Sequence, residues 1–240
     1  MTDTVGFDIT EVLGGFPTFR VGLVVASGLS IPVQRPPALE AFIADTEAGV
    51  AAALRDVELA DIAELKSWRE AYKAFGVKKT SYRSSVERLL KNVQRGAGLP
   101  RINALVDAYN AVSARFRMPV GADDLDRVAL PIAFRYARDG DTFIALGDAS
   151  QTPDPPKAGE VVYADAAKCL CRRWNWYQDA RSAVSASTAR AVFTVQTLTG
   201  SRADVDAAIA ELVRLITLTG PARTASAIAD GTAANIVVAV

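Results

Sequence analysis

The most informative absence in this 240-residue sequence is histidine, which does not occur at all. Histidine is the usual general base at neutral pH and the commonest metal ligand in proteins. A Ser-His-Asp triad, a Cys-His dyad and a histidine-ligated metal are therefore excluded. The two cysteines, Cys169 and Cys171, cannot complete an ordinary zinc site without histidine. We therefore expect neither a metal ion nor another cofactor.

The sequence also has no excess of charge and no long hydrophobic run. Lys+Arg and Asp+Glu each total 27, which excludes a uniformly basic surface but not a local basic patch. The most apolar stretch, residues 21–33, is too short to span a bilayer and includes Ser27, Ser30 and Pro32. The N-terminus has no basic signal-peptide segment, and two cysteines fit a reducing compartment. We expect a soluble, cytoplasmic protein with no membrane partner.

Half of the residues are hydrophobic and 22% are charged, a composition that supports a sizeable core in one domain. Helical periodicity covers residues 38–75, 80–95, 100–114 and 202–217. Strand patterns cover residues 18–27, 130–136, 142–146, 160–164, 168–173 and 190–198. Asp139-Gly140 indicates a hairpin between the second and third of these strands. Because strands and helices occur in separate runs, the expected class is α+β. The chain from Ala222 onward is too weakly patterned for an assignment.

Two helices in the middle of the chain are expected to form an αα-hairpin. Thr80 or Ser81 is the expected N-cap of the first helix, which ends near Arg95. Pro100 is expected to open the second helix, whose apolar face includes Ile102.

The first of these helices lies in a basic segment. Residues 78–101 contain seven basic side chains and one acidic side chain, whereas residues 122–165 contain nine acidic and four basic ones. Three of the basic residues, Arg83, Lys91 and Arg95, lie near one helix face. One interpretation is an ordinary solvated face, and the other is a surface that contacts phosphates.

A polar stripe of Asn103, Asp107 and Asn110 follows on the second helix, with i, i+4, i+7 spacing. Two carboxamides and a short carboxylate are poor helix formers and unusual on an exposed face. The stripe is either a solvated or capping surface, or a hydrogen-bonding wall for a small polar ligand. In the second case, Asp107 would pair with an ammonium group.

A third feature combines cysteine, arginine and tryptophan in residues 169–176. The cysteines fit two buried thiols better than a disulfide or metal site. Trp174 either anchors the core beside snorkelling arginines, or belongs to a site that holds a base and a phosphate or carboxylate.

The sequence resembles free-standing B3/B4-domain proteins in three segments, which are YRSSVERLLKNVQRGAGLPRINALVDAYNAVSARFRMPVGADDLD (82–126), GEVVYAD (159–165) and CRRWNW (171–176). These proteins are similar to the B3/B4 region of the β subunit of bacterial phenylalanyl-tRNA synthetase, and the resemblance covers roughly residues 15–220. It implies an α+β fold, a three-layer β-sandwich of unusual topology with covering helices, in a single domain over residues 1–240. In the synthetase, this region hydrolyses tRNA that is esterified with the wrong amino acid, chiefly tyrosine.

For this chain, the resemblance implies a tRNA partner and hydrolysis of mischarged aminoacyl-tRNA in trans, without tRNA charging. Local chemistry and the resemblance together assign the amino-acid pocket to Asn103, Asp107, Asn110, Ser113, Trp174 and Asn175, with Tyr109 nearby. They assign contacts with the tRNA terminus or its phosphates to Arg83, Lys91, Arg95, Arg172 and Arg173. The family's basic residue after WNW is replaced by Tyr177, which removes one charge contact.

A histidine-free protein is compatible with this reaction because an aminoacyl ester is already activated. Hydrolysis requires a positioned water and donors for the oxyanion more than a strong nucleophile. No motif in the sequence assigns a general base. Two alternatives stay open: a non-catalytic module that binds an amino acid or an RNA end, and a small-molecule enzyme on the same fold.

Overall fold

The computed structural model describes residues 4–78 and 82–240. The strands in these ranges are β1 (Thr4–Asp8), β2 (Arg20–Ser27), β3 (Val120–Asp124), β4 (Ile132–Tyr136), β5 (Val161–Ala164), β6 (Cys169–Arg172), β7 (Tyr177–Gln178), β8 (Arg190–Thr197), β9 (Arg223–Ala229) and β10 (Asn235–Ala239). The helices are α1 (Thr10–Leu13), α2 (Pro37–Ala53), α3 (Ala63–Ala74), α4 (Ser85–Gln94), α5 (Ala104–Phe116) and α6 (Arg202–Thr219). Within these ranges, no helix combines the length and apolar character that a bilayer crossing requires.

The strands form two sheets. One has six strands in the order β10-β1-β4-β5-β6-β7, and the other has four in the order β3-β8-β2-β9. Strands β1 and β4 pair in parallel, and the other pairs are antiparallel. The α+β class is confirmed.

The four-stranded sheet is the middle of three layers because its central strand β2 is buried on both faces. Val24 and Ala26 pack with the core side of α2, α4, α5 and α6, whereas Leu23 and Val25 face the core shared with the six-stranded sheet. Alternate strand residues point to opposite faces, so one short β-branched run serves two cores. Gly22 gives α6 room to approach, since a Cβ there would lie 2.6 Å from Ile209 Cδ1.

The two central helices form and pack against each other, but their starts differ from the prediction. Helix α4 begins after Ser84, whose Oγ accepts the Glu87 N–H. The predicted caps Thr80 and Ser81 lie outside the described residues. Helix α5 begins four residues after Pro100, because the Asn103 side chain caps it by accepting two backbone N–H groups. Ile102 precedes the helix and is 65% exposed, so its placement on the apolar face was wrong.

The hairpin predicted at Asp139-Gly140 does not form. Strand β4 pairs with β1 and β5, whereas residues 142–146 make only isolated bridges. Asp141 is bound by both terminal nitrogens of Arg135 at 2.7 Å, and the Ile144 N–H donates to Asp179. These side-chain contacts replace the strand ladder that the turn pattern indicated.

Candidate functional site

A cavity of about 290 Å³ lies where all three layers meet. Helices α4 and α5, the end of β3, and strands β5 to β8 contribute its walls. Its polar and titratable lining residues are Ser85, Arg88, Asn92, Tyr109, Asn110, Asp123, Tyr163, Cys171, Asn175, Tyr177, Gln178, Thr194 and Gln196. Two other cavities, one beside α2 and one over β1 and β4, contain none of the residues predicted for the amino-acid pocket.

Two of the predicted pocket residues line this cavity. The Asn110 carboxamide makes no hydrogen bond with other described residues, although only 9% of the residue is exposed. Asn175 accepts from the Tyr72 hydroxyl at 2.9 Å and donates to Gln196 at 3.2 Å. Asn175 is therefore held in one orientation, while Asn110 is available to a ligand.

Three other predicted pocket residues have structural partners elsewhere. Asn103 caps α5, and the Ser113 hydroxyl donates to the Met118 carbonyl oxygen at 2.6 Å. Asp107 accepts from Arg35 Nε at 2.7 Å and from the Ile102 N–H at 2.8 Å. The structure does not bring these side chains into the cavity because α5 is buried on every side from Ala104 to Ala114.

Trp174 lies in the core rather than in the cavity. It is fully buried, and its ring packs edge-on against Phe16, Phe19 and Trp68 at centroid distances of 4.7, 4.8 and 5.2 Å. A base cannot stack on this indole without unpacking the core. The neighbouring Trp176 does line the cavity.

Two of the predicted tRNA-contacting arginines are paired with carboxylates. Arg172 is 1% exposed and binds Glu160 through Nε at 2.9 Å, with Asp154 as a second partner. Arg83 precedes α4, and its Nε lies 2.8 Å from Glu87. Both cations serve the fold, so the expectation that they face tRNA does not fit their surroundings.

Arg173 is a buried cation of a different kind. Its guanidinium lies between the rings of Tyr82 and Trp176, at 3.8 and 4.4 Å from their centroids. Its Nη1 is buried and has no hydrogen-bond partner among the described residues. Burial and the nearby charge of Arg172 lower the pKa of Arg173. The guanidinium is held by ring faces instead of a carboxylate.

The exposed cations of α4 form one face, made of Arg88, Lys91 and Arg95 at i, i+3, i+7 spacing. We call this set the basic face of α4. Arg88 also lines the cavity, where its guanidinium lies 5.0 Å from the Tyr177 ring centroid. The basic face therefore begins at the cavity and continues along the surface.

Asp123, at the end of β3, was not identified from the sequence. It lines the cavity with 4% exposure, and its Oδ1 accepts from the Ser182 hydroxyl at 2.6 Å and from Gln178 Nε2 at 3.0 Å. Burial raises the pKa of Asp123 to about 7, although these two hydrogen bonds act in the opposite direction. An aspartate directly after a buried strand was an available signal, but the acidic composition of residues 122–165 favoured a surface interpretation.

The two cysteines are free thiols. Burial raises the pKa of Cys169 to about 12, and burial likewise raises the pKa of Cys171 at the cavity wall. Neither is a thiolate at neutral pH, so neither is an activated nucleophile. In the parts of the chain that the structure describes, no group of three or more Cys, Asp or Glu side chains is placed to hold a metal ion.

The fold and cavity define an α+β domain with a polar pocket between a helical layer and two sheets. The family model of the B3/4 domain matches residues 67–213, which include every residue that lines the cavity. The chain belongs to this family.

One similar solved structure is the N-terminal fragment of the phenylalanyl-tRNA synthetase β subunit from Pyrococcus horikoshii. Identity is 13%, the TM-score is 0.48, and the alignment covers 92% of this chain and 50% of that one. The chain thus spans about half the length of that fragment. A search of curated protein sequences found no match.

Proposed function

We propose that this protein binds the aminoacylated 3′ end of tRNA and hydrolyses the ester of a mischarged amino acid in trans. The observation that carries the proposal is the continuity between the cavity and the basic face of α4, through Arg88. A small polar group and a polyanion would then bind side by side. An amino acid esterified to tRNA has this combination of properties.

The size and lining of the cavity suit an aminoacyl group. At about 290 Å³, it lies near the lower end of the ~300–1,000 Å³ typical of small-ligand pockets. Val106 and Leu170 provide apolar wall, and the free carboxamide of Asn110 provides a donor and an acceptor. This mixture of apolar walls and a few fixed polar groups is typical of specific ligand sites.

The charges of the basic face suit phosphates. Lys91 makes no ion pair with other described residues, and Arg95 bonds only the neutral side chain of Asn92. A cation without a carboxylate partner releases counterions when it neutralises a phosphate, so each contact adds salt-dependent affinity. Arg173, held between Tyr82 and Trp176 beside the cavity, is a further candidate for an anionic group.

A non-catalytic binding module is the second candidate. It is favoured by the absence of an activated thiol or histidine from the described cavity wall, where the pKa of Cys171 is raised by burial. Such a module would hold an amino acid or an RNA end without turnover. The two functions share the cavity and differ in whether the ester is cleaved.

The test measures tRNA binding and deacylation together. Binding is followed across salt concentrations for the wild type, for Lys91→Ala/Arg95→Ala, and for Lys66→Ala/Lys73→Ala as a control with two exposed α3 cations. We expect the first variant to lose about 0.7–0.9 of the log–log salt slope per phosphate contact, and the control to lose none. Salt-insensitive binding, or equal loss in the control, would contradict the proposed tRNA surface.

Deacylation is measured on a panel of cognate and mischarged aminoacyl-tRNAs, with Asn110→Ala as the cavity variant. We expect rapid hydrolysis of one mischarged species and slower hydrolysis of it by the variant. Binding without hydrolysis across the whole panel would establish the binding module instead.

A further inference from the structure

We propose that Asp123 is the catalytic general base of the cavity, and that its carboxylate takes a proton from the water that attacks the ester. This inference rests on the proposed hydrolase function. Sequence patterns assign no base, and the family match assigns no residue roles. The structure provides one candidate by its position, its hydrogen bonds and its charge environment.

Position singles out Asp123. Among residues 4–78 and 82–240, it is the only carboxylate that lines the cavity. The other lining groups that could accept a proton when ionised include Tyr109, Tyr163 and Cys171, and burial raises the pKa of each of them. They remain protonated at neutral pH, which leaves the carboxylate as the group that is ready to accept a proton.

The hydrogen bonds of Asp123 hold one oxygen and leave the other free. Both donors, the Ser182 hydroxyl and Gln178 Nε2, bind Oδ1. Oδ2 has no hydrogen bond with other described residues, so it is the atom available to a water in the cavity. A base that is fixed through one oxygen and open at the other is positioned for proton transfer.

The charges around Asp123 do not fix its protonation state. The Lys168 ammonium lowers its pKa, but this cation is already bound to Asp165 at 2.6 Å, and Asp165 acts in the opposite direction. The phenols of Tyr109 and Tyr163 and the thiol of Cys171 face the same cavity as neutral groups. Burial therefore dominates and keeps the pKa of Asp123 near 7, where a carboxylate is both populated and basic.

The proposed step is a balanced hydrolysis. The water oxygen forms a bond to the ester carbonyl carbon while one water proton passes to Asp123 Oδ2. The tetrahedral intermediate then breaks the bond between the carbonyl carbon and the ribose oxygen, and that oxygen receives the proton from Asp123. The products are the free amino acid and tRNA with its terminal hydroxyl, and Asp123 returns to the carboxylate.

The test is single-turnover deacylation from about pH 5 to about pH 9, corrected for spontaneous hydrolysis. The substrate is the mischarged tRNA that the wild type hydrolyses fastest. For the wild type, we expect a rate that rises with pH and levels off above about pH 7. For Asp123→Asn, we expect a loss of about 10²–10⁴-fold, a pH-independent residual rate, and aminoacyl-tRNA binding within about twofold of the wild type.

The substrate's own α-amino group also titrates near neutral pH. A pH limb that it causes would persist in Asp123→Asn, whereas a limb caused by Asp123 would disappear. Ser182→Ala provides a second variant that retains the carboxylate. Because the Ser182 hydrogen bond lowers the pKa of Asp123, its removal is expected to move the midpoint of the wild-type profile to higher pH.

Three results would overturn the inference. If folded Asp123→Asn hydrolyses the substrate with the wild-type rate and pH limb, Asp123 is not the base and the hydrolase function stands. If the variant raises KM and leaves kcat unchanged, Asp123 binds the substrate instead. If the wild type binds tRNA and hydrolyses nothing in the panel, the proposed function fails, and the role of Asp123 fails with it.

Discussion

Two regions of the molecule bury a carboxylate in different ways. At the start of α5, Asp107 is 3% exposed and contacts the Arg35 guanidinium, which also binds Glu40 at 2.9 Å. At the cavity, Asp123 is 4% exposed and accepts hydrogen bonds only from neutral groups. Burial is nearly equal, so the cation makes the difference.

The difference separates a structural charge from a labile one. A buried carboxylate beside a guanidinium is held as part of an ion pair, and removal of one partner leaves an unpaired buried charge. A buried carboxylate without a cation gains and loses its proton near neutral pH. The sequence hypothesis placed the ligand-binding carboxylate in the first region, whereas the cavity lies in the second.

The largest expected effect comes from breaking the first region. Arg35→Met removes the cation from Asp107, and we expect the free energy of unfolding to fall by about 3–5 kcal/mol, since a buried charge is left without its partner. Urea unfolding at neutral pH measures this. The double variant Arg35→Met/Asp107→Asn is expected to recover part of the loss, and a double variant as unstable as the single one would argue against the ion-pair explanation.

The second effect sharpens the contrast through pH. The folded protein keeps the Asp123 proton up to about pH 7, whereas the unfolded chain releases it near the ordinary value of 3.8. Between these values the folded state binds more protons, so wild-type stability falls as pH rises. Asp123→Asn lacks this dependence, and its advantage over the wild type is expected to grow by up to ~4 kcal/mol across this window. Urea unfolding at several pH values compares the two, and a constant difference would contradict the raised pKa.

The third experiment converts the second region into the first. Gln178→Lys introduces a cation where Gln178 Nε2 now lies, 3.0 Å from Asp123 Oδ1. An opposite charge at this distance is expected to lower the pKa of Asp123 by about 1–3 units. Carboxyl titration by NMR measures the shift, and the isosteric Gln178→Glu serves as the control that raises the pKa. A midpoint that stays near 7 in both variants would show that Asp123 does not sense this position.

The smallest expected effect is Asp107→Asn. Arg35 keeps Glu40 as a partner, so we expect a loss of only about 1–2 kcal/mol in the free energy of unfolding. Because Asp107 lies outside the cavity, we also expect aminoacyl-tRNA deacylation to match the wild type within about twofold. A selective loss of activity in this folded variant would return the ligand site to the start of α5.

Local patterns predicted the elements that local patterns determine. The apolar stripes of α4 and α6 and the β-branched run of β2 are visible within a few residues, and the structure contains all three elements. Strands β9 and β10 were missed because their alanine-rich sequences are held by pairing with β2 and β1, at the other end of the chain. The same limit explains the hairpin that did not form, since Asp141 and Asp179 hold its expected return strand by side-chain contacts.

The site was predicted less well because helix periodicity does not identify what each face meets. The stripe of Asn103, Asp107 and Asn110 has regular spacing, yet only Asn110 reaches the cavity. The partner of Asp107 is Arg35, which is distant in sequence, and no local pattern contains that contact. Asp123 became recognisable only once the neutral surroundings of its carboxylate were known.

The separation of the tryptophans between core and cavity gives this protein two intrinsic optical probes. Trp68 and Trp174 lie 5.2 Å apart in a fully packed aromatic cluster, close enough for their electronic transitions to couple and to give a circular-dichroism signal that vanishes when the core opens. Trp176 lies at the cavity wall, against the guanidinium of Arg173. Its fluorescence reports occupancy of the pocket, so folding and ligand entry are observable in one unlabelled sample at different wavelengths.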